Sequence, residues 1–377
     1  MLRNTLLYLS NQPQVFNFVR HNGLAKKFAS RFVAGEDVEP ALDAVRALNA
    51  KRITASLDLL GESVTNEAEA REAGRQYLHL LDRIRERGLD ANVSLKLTAM
   101  GLDISEELCV EVLHAVLGRA RDYGTFVRLD MESSAYTERT LRLFYDRLYP
   151  AYPENVGIVL QSYLYRTEQD AADAARAGAR VRICKGAYKE PPAVAFPDKR
   201  DVDAGYVRAM HTLMRDGHYP GLATHDEAII AEAKRFARAE GIGPDRYEFQ
   251  MLYGVRRDLQ EQLVREGYRL RVYVPFGTSW YPYLMRRLAE RPANLMFMTG
   301  NVLKEAFAGS ATNGSATNGS APDGSRAKES AANGARSAAA PGPEAFRTDG
   351  TNGAGVTSAG PRTDAHADVA GSGADRR

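Results

Sequence analysis

The 377-residue chain carries 50 Lys and Arg against 48 Asp and Glu, with 26% charged and 44% hydrophobic residues. That composition excludes a wholly disordered chain, and the near-even charge balance gives no reason to expect nucleic acid as a partner. Two cysteines, Cys109 and Cys184, cannot build a disulfide framework. No apolar run reaches the roughly 18–20 residues that span a bilayer, so a cytoplasmic protein is expected.

In chain order, the first 35 residues contain Arg3, Arg20, Lys26, Lys27 and Arg31 and no acid before Glu36. Organellar transit peptides share that composition, but an amphipathic helical arm packed on the main domain is the preferred reading. Eight short β-branched or apolar runs follow: Ile53–Leu60, Asn92–Thr98, Phe126–Glu132, Val156–Tyr163, Arg180–Gly186, Gly221–Asp226, Tyr247–Tyr253 and Leu270–Pro275. Helical periodicity fills the gaps. Asn66 to Glu69 resembles a capping box, Ser105 opens a second helix, and Gly178, Gly217, Gly241 and Gly267 stand where helices often close. Eight strand–helix alternations predict parallel strands with right-handed crossovers, and so a (β/α)8 TIM-type barrel. From Ala308 to Arg377 there is no Leu, Ile, Met, Tyr or Trp, and TNGS occurs twice. Such a stretch cannot bury enough apolar surface to offset chain entropy. The expected organisation is an N-terminal helical arm (1–45), a barrel (46–307) and a disordered C-terminal tail (308–377).

Barrels of this kind place catalytic groups where their strands end, and here those ends are polar. They carry Glu62, Lys96, Asp130, Glu132, Gln161, Tyr163, Arg182, Lys185, Thr224, His225, Asp226, Gln250 and Tyr273. Taken singly, each has a structural explanation: Lys96 with Asp130 as an interior ion pair, His225 as a satisfied core histidine. Taken together they predict a pocket. In Arg182–Tyr188 a strand runs into a glycine turn with two cations, suited to a planar cofactor that gains negative charge, to a phosphate, or to a rim salt bridge. In Tyr283–Glu290 the spacing puts Tyr283, Arg286, Arg287 and Glu290 on one helical face. Paired arginines can grip a carboxylate, and the helix follows the last strand, so it starts over the polar rim. No G-x-G-x-x-G after a strand, Walker A sequence or H-E-x-x-H pair is found, and no metal site is expected.

At these segments the sequence resembles proline dehydrogenase, the flavin-dependent first enzyme of proline breakdown. The resemblance rests on Arg180–Pro191, Tyr283–Glu290, Asp58–Glu62, Ser94–Ser105, Arg128–Ser134 and Leu222–Asp226, covers residues 30–305, and is to the monofunctional bacterial form. It implies a distorted barrel holding FAD, with L-proline oxidised to pyrroline-5-carboxylate by hydride transfer. It further implies electrons passed to a quinone at the inner face of the membrane, and product handed to a separate pyrroline-5-carboxylate dehydrogenase. Met131, Gln161, Arg182, Lys185, Gly186, Ala187, Thr224, His225 and Glu290 are the implied cofactor contacts. Lys96, Arg286 and Arg287 are the implied carboxylate clamp, Tyr273 and Tyr283 the walls of the substrate ring, and Glu62 a gating partner of Arg287. Asp130 is an implied active-site residue, with Arg182 and Tyr273, that would hold Lys96 or the flavin edge. Lys189 departs from the fused enzymes, which carry tryptophan there. Two other classes fit the bare residues: a Schiff-base aldolase using Lys96 or Lys185, and a non-catalytic amino-acid-binding protein.

Overall fold

A computed structural model describes residues 29–61 and 63–290, with the backbone alone for 286–290. Most of the expected arm and the whole expected tail lie outside the described residues, as does Glu62. Eight parallel strands close a barrel in simple order: β1 (Thr54–Leu59), β2 (Ala91–Lys96), β3 (Val127–Asp130), β4 (Val156–Gln161), β5 (Arg180–Cys184), β6 (Gly221–Ala223), β7 (Glu248–Leu252) and β8 (Leu270–Phe276). Closure is made by β1 against β8, from Thr54 opposite Arg271 to Leu59 opposite Phe276. The barrel and each of its eight strands agree with the sequence reading.

Helix α1 (Val38–Asn49) precedes the barrel. It crosses the expected arm–barrel boundary and buries Ala41, Leu42 and Val45 in the main core. The crossover helices are α2 (Glu67–Glu86), α3 (Glu106–Asp122), α4 (Ser134–Leu143), α5 (Thr167–Ala177), α6 (Lys199–Asp216), α7 (Glu227–Ala239), α8 (Arg257–Arg265) and α9 (Trp280–Glu290). Local chemistry explains their starts. Asn66 accepts the backbone N–H of Glu69 at 3.0 Å, while the Glu69 carboxylate reaches back to Thr65 N at 2.8 Å. Ser105 caps α3 through Leu108 N, and Asp226 caps α7 through Ala228 N. Each satisfies a donor that a helix start leaves without an intrahelical acceptor.

Strand side chains alternate between two faces. The outer face is apolar: Ala55 and Leu57, Val93 and Leu95, Ile158 and Leu160, Val272 and Val274 are all buried beneath the helices. The inner face differs from the branched aliphatic layers that usually fill such barrels. It carries Ser56, Asp58, Asn92, Ser94, Arg128, Arg182, Glu248 and Gln250, all buried. Their bonds prove the direction they point. Arg182 of β5 reaches Gln250 of β7, Asp130 of β3 and Ser94 of β2, which is possible only across the interior.

Candidate active site

The interior is built from the floor upward. At the floor, Arg271 donates from Nε to Glu248 at 2.7 Å and from Nη1 to Asn92 Oδ1 at 2.9 Å. Burial alone would raise the Glu248 carboxyl, but Arg271 and the hydrogen bonds bring it below the usual carboxylate range. Gln250 joins floor to mouth. Its amide N donates to Glu248 at 2.6 Å, and its amide oxygen accepts from Arg182 Nε at 2.5 Å. Room for that amide comes from β6, where a Cβ on Gly221 would lie 2.3 Å from the Gln250 nitrogen.

Arg182 is the hub of the mouth. Besides Gln250, it donates to Asp130 Oδ1 at 2.6 Å and to Ser94 Oγ at 3.2 Å, and its guanidinium lies 5.3 Å from the centre of the Tyr273 ring. The Tyr273 hydroxyl donates to the other Asp130 oxygen at 2.8 Å. Burial and the Asp130 charge push the Tyr273 hydroxyl well above its ordinary range, so it remains a donor at every working pH. The interior ion pair of Lys96 with Asp130, one explanation open from the sequence, is not formed; Lys96 Nζ lies 3.6 Å from Oδ2 of Asp58 on β1. The reason is reach: the long guanidinium of Arg182 crosses the barrel and, with Tyr273, engages both oxygens of Asp130.

Two flanking groups complete the rim. On the β5–β6 side, Lys185 Nζ lies 2.8 Å from Asp226 Oδ2 and 2.5 Å from Asp203 Oδ1 of α6, so its charge is matched by two carboxylates. His225 turns inward to the fold, its Nε2 accepting from Leu252 N at 3.0 Å, and the Thr224 hydroxyl accepts from Asp226 N at 3.0 Å. On the β2–β4 side, Glu132 accepts from Thr98 N and from the Thr98 hydroxyl, while the Gln161 amide donates to Glu132 O at 2.8 Å. Tyr163 donates to Gln161 at 3.2 Å, and its ring lies over Gly186. Gly186 has φ +109°, and a Cβ there would stand 2.3 Å from that ring, so only glycine fits the turn. Glu190 accepts from Ser134 N at 2.8 Å, tying the loop after β5 to the start of α4.

The structure thus brings Lys96, Asp130, Arg182 and Tyr273 together. It sets Gln161 and Gly186 to one flank of them, and Lys185, Thr224 and His225 to the other. Met131 is buried at the end of β3 and Tyr283 on α9. Helix α9 is anchored at its start by Trp280 Nε1, which donates to Glu36 at 3.0 Å. The side chains of Arg286, Arg287 and Glu290 lie outside the described residues, although their backbone continues α9. A cleft of about 1060 Å³ runs beside the mouth, walled by Val64, Tyr77, Phe276 and Thr278, and the interior cluster does not line it. Sequence reasoning assigned no role to Asp58, Ser56, Ser94, Asp203 or Glu190. For Ser56 and Asp58 the signal was available, since alternation along β1 puts both on one face. Nothing local marks Asp203.

With that geometry established, comparison with known proteins identifies the group. The proline dehydrogenase family model matches residues 41–300. The chain belongs to the proline dehydrogenase family. Within the family it is 42% identical to proline dehydrogenase of Deinococcus radiodurans over 307 residues, 81% of this chain and 98% of that one. It is 41% identical to proline dehydrogenase 1 of Bacillus subtilis over 305 residues, 81% of this chain and 100% of that one. The structure of proline utilization A from Bdellovibrio bacteriovorus, inactivated by N-propargylglycine, aligns with TM-score 0.65 at 28% identity. That alignment covers 71% of this chain and 33% of the other, so this chain spans about a third of its length.

Proposed function

We propose that this chain oxidises L-proline to pyrroline-5-carboxylate with FAD as its cofactor. The observation that carries the reading is the interior cluster of Arg182, Asp130, Tyr273 and Lys96 at the C-terminal mouth, in a chain of this family. The residues fit a flavin. The turn at Gly186 offers bare backbone, Gln161 offers an amide, and Arg182 offers a buried cation locked in place. Bound FAD would supply the hydride acceptor. Within this reading Met131, Gln161, Arg182, Lys185, Gly186, Ala187, Thr224, His225 and Glu290 hold the cofactor. Lys185 does so while balanced by Asp203 and Asp226.

The chain's own work is orientation and charge. Lys96, Arg286 and Arg287 hold the substrate carboxylate, which selects an amino acid over a simple amine. Tyr273 and Tyr283 wall the ring, which would orient the carbon beside nitrogen toward bound FAD, as hydride transfer requires. Asp130 keeps Arg182 and Tyr273 in position. Glu62 gates through Arg287. Because a guanidinium held by three partners cannot swing to follow a ligand, its charge is set before the reaction begins.

Electrons then pass to a quinone at the membrane surface. No helix among the described residues is long and apolar enough to cross a membrane. The match to the bifunctional protein PutA of Escherichia coli covers 24% of that protein, and the recipient of the product in this reading is a separate pyrroline-5-carboxylate dehydrogenase. Turnover of L-proline with FAD and a soluble quinone, with pyrroline-5-carboxylate identified by mass, tests the reading. Formation of that product dependent on both supports it; no product with both supplied contradicts it.

A further inference from the structure

Oxidising an amino acid at the carbon beside nitrogen raises a problem that the residues above leave open. The substrate arrives with a protonated amine, and a hydride cannot leave that carbon until the nitrogen has its electron pair free. Something must take the proton. Among the described residues, most carboxylates at the mouth are already committed. Asp130 is engaged through both oxygens, by Arg182 and Tyr273. Glu132 is engaged by Thr98 through both of its own. Asp203 and Asp226 face Lys185.

Asp58 is different. It is 1% exposed, and neither of its carboxylate oxygens has a hydrogen-bond partner. A buried carboxylate without hydrogen bonds is costly, and a part in the chemistry is one of the reasons a fold keeps such a group. The groups that face it are Lys96 from β2, Asp130 from β3, Arg182 from β5, Tyr273 from β8 and Tyr77 from α2. Tyr77 donates its hydroxyl proton to Ser94 O at 2.8 Å and Tyr273 its own to Asp130, so both protons are directed away from Asp58. Burial raises the Asp58 carboxyl above its ordinary range and the Asp130 charge adds to this, while Lys96 opposes both. Burial and the Lys96 charge thus act in opposite directions on the proton affinity of the one mouth carboxylate, among the described residues, whose oxygens carry no hydrogen bond.

We propose that Asp58 is the proton acceptor of the site: its buried carboxylate, beside Lys96 and free of hydrogen bonds, takes the proton that the substrate's amine loses before oxidation. This rests on the reading of the substrate as proline with its carboxylate at Lys96. One N–H bond of the substrate breaks, its electron pair stays on nitrogen, and an O–H bond forms on Asp58. Lys96, 3.6 Å from Oδ2, is the hand-over point, giving one proton to Asp58 as it receives one from the substrate. The hydride then leaves the ring carbon for the cofactor, and Asp58 returns its proton to solvent as the product departs. Arrival of the substrate carboxylate at Lys96 diverts part of the cation's charge from Asp58, so binding itself makes Asp58 the better acceptor.

The test compares wild type with Asp58→Asn, reading the rate of flavin reduction by proline across pH. Binding of tetrahydrofuran-2-carboxylate, which keeps the ring and carboxylate but has no amine, is read in parallel from the flavin spectrum. At neutral pH the variant is expected to lose roughly a hundredfold in rate. That loss should shrink as pH rises and free amine becomes available from solution, with the affinity for the analogue unchanged. A pH–rate profile that superimposes on wild type would overturn the proposal. So would a rate and an analogue affinity that fall together by one factor at every pH, the mark of a group that only holds Lys96. A second measurement needs no variant: wild type mixed anaerobically with proline should show the infrared band of a protonated carboxylic acid, and no such band with the analogue. Absence of that band with proline overturns the proposal while leaving proline oxidation intact. A wild type whose flavin proline never reduces at any pH would overturn both.

Discussion

At the floor of the barrel Glu248 lies between Arg271 and Gln250 with each oxygen bonded, whereas at the mouth Asp58 is equally buried and has no hydrogen bond at all. Both are carboxylates on inner strand faces with a cation in reach. The floor network is closed: Arg271 also bonds Asn92 and Ala55 O, and Arg128 spends its guanidinium on Ile158 O and Arg180 O. A closed network of this kind fixes geometry, because each member has one satisfied arrangement. The mouth is left open on one member, and an open member is what a ligand or a proton can complete. The strut between them is Gln250, which carries the rigidity of the floor to the guanidinium of Arg182.

The comparison breaks first at Glu248. Changing Glu248→Gln leaves Arg271 buried without its counter-charge, and a loss of about 3–5 kcal/mol is expected in denaturant unfolding. Asp58→Asn removes no hydrogen bond but takes the carboxylate from Lys96 at 3.6 Å, so a smaller loss of about 1–3 kcal/mol is expected. Equal losses would erase the distinction between floor and mouth. The same pair sets a pH signature. Since folding depresses the Glu248 carboxyl, its contribution is present above the unfolded value near ~4.3 and is lost as pH falls through the lower folded value. Acid unfolding of Glu248→Gln should lack that part of the slope.

A smaller effect is expected at the strut. Gly221→Ala puts a methyl 2.3 Å from the Gln250 amide, and overpacking there should cost about 1–3 kcal/mol and loosen Arg182. Stability and proline kinetics both unchanged would show that Arg182 does not depend on the floor. Smallest is Tyr273→Phe, which leaves Asp130 Oδ2 without its donor. About one kcal/mol, or roughly a fivefold slower flavin reduction, is expected with the fold intact. A variant as fast as wild type would reduce Tyr273 to a wall of the pocket.

The barrel was legible in the sequence because eight apolar runs alternate with 3.6-period segments, and each run became a strand within three residues of its expected ends. The polar mouth was legible for the same reason, since residues that end strands must meet at one rim. Partners were not legible. Asp130 and Arg182 lie 52 residues apart, and which carboxylate Arg182 meets depends on strand stagger and side-chain length, neither of which a linear pattern holds. Asp203 pairs with Lys185 only because α6 returns over the end of β5. Asp58 stands in the Asp58–Glu62 segment that carries the resemblance, yet its lack of hydrogen-bond partners is a property that only the packed interior shows.

The most direct measurement is a visible absorption spectrum of the purified protein, loaded with FAD and held without oxygen, before and after L-proline is added. Loss of the oxidised flavin band on adding proline, with no loss on adding tetrahydrofuran-2-carboxylate, is the expected result. A flavin band that proline leaves untouched, or a protein that takes up no FAD, would contradict the account.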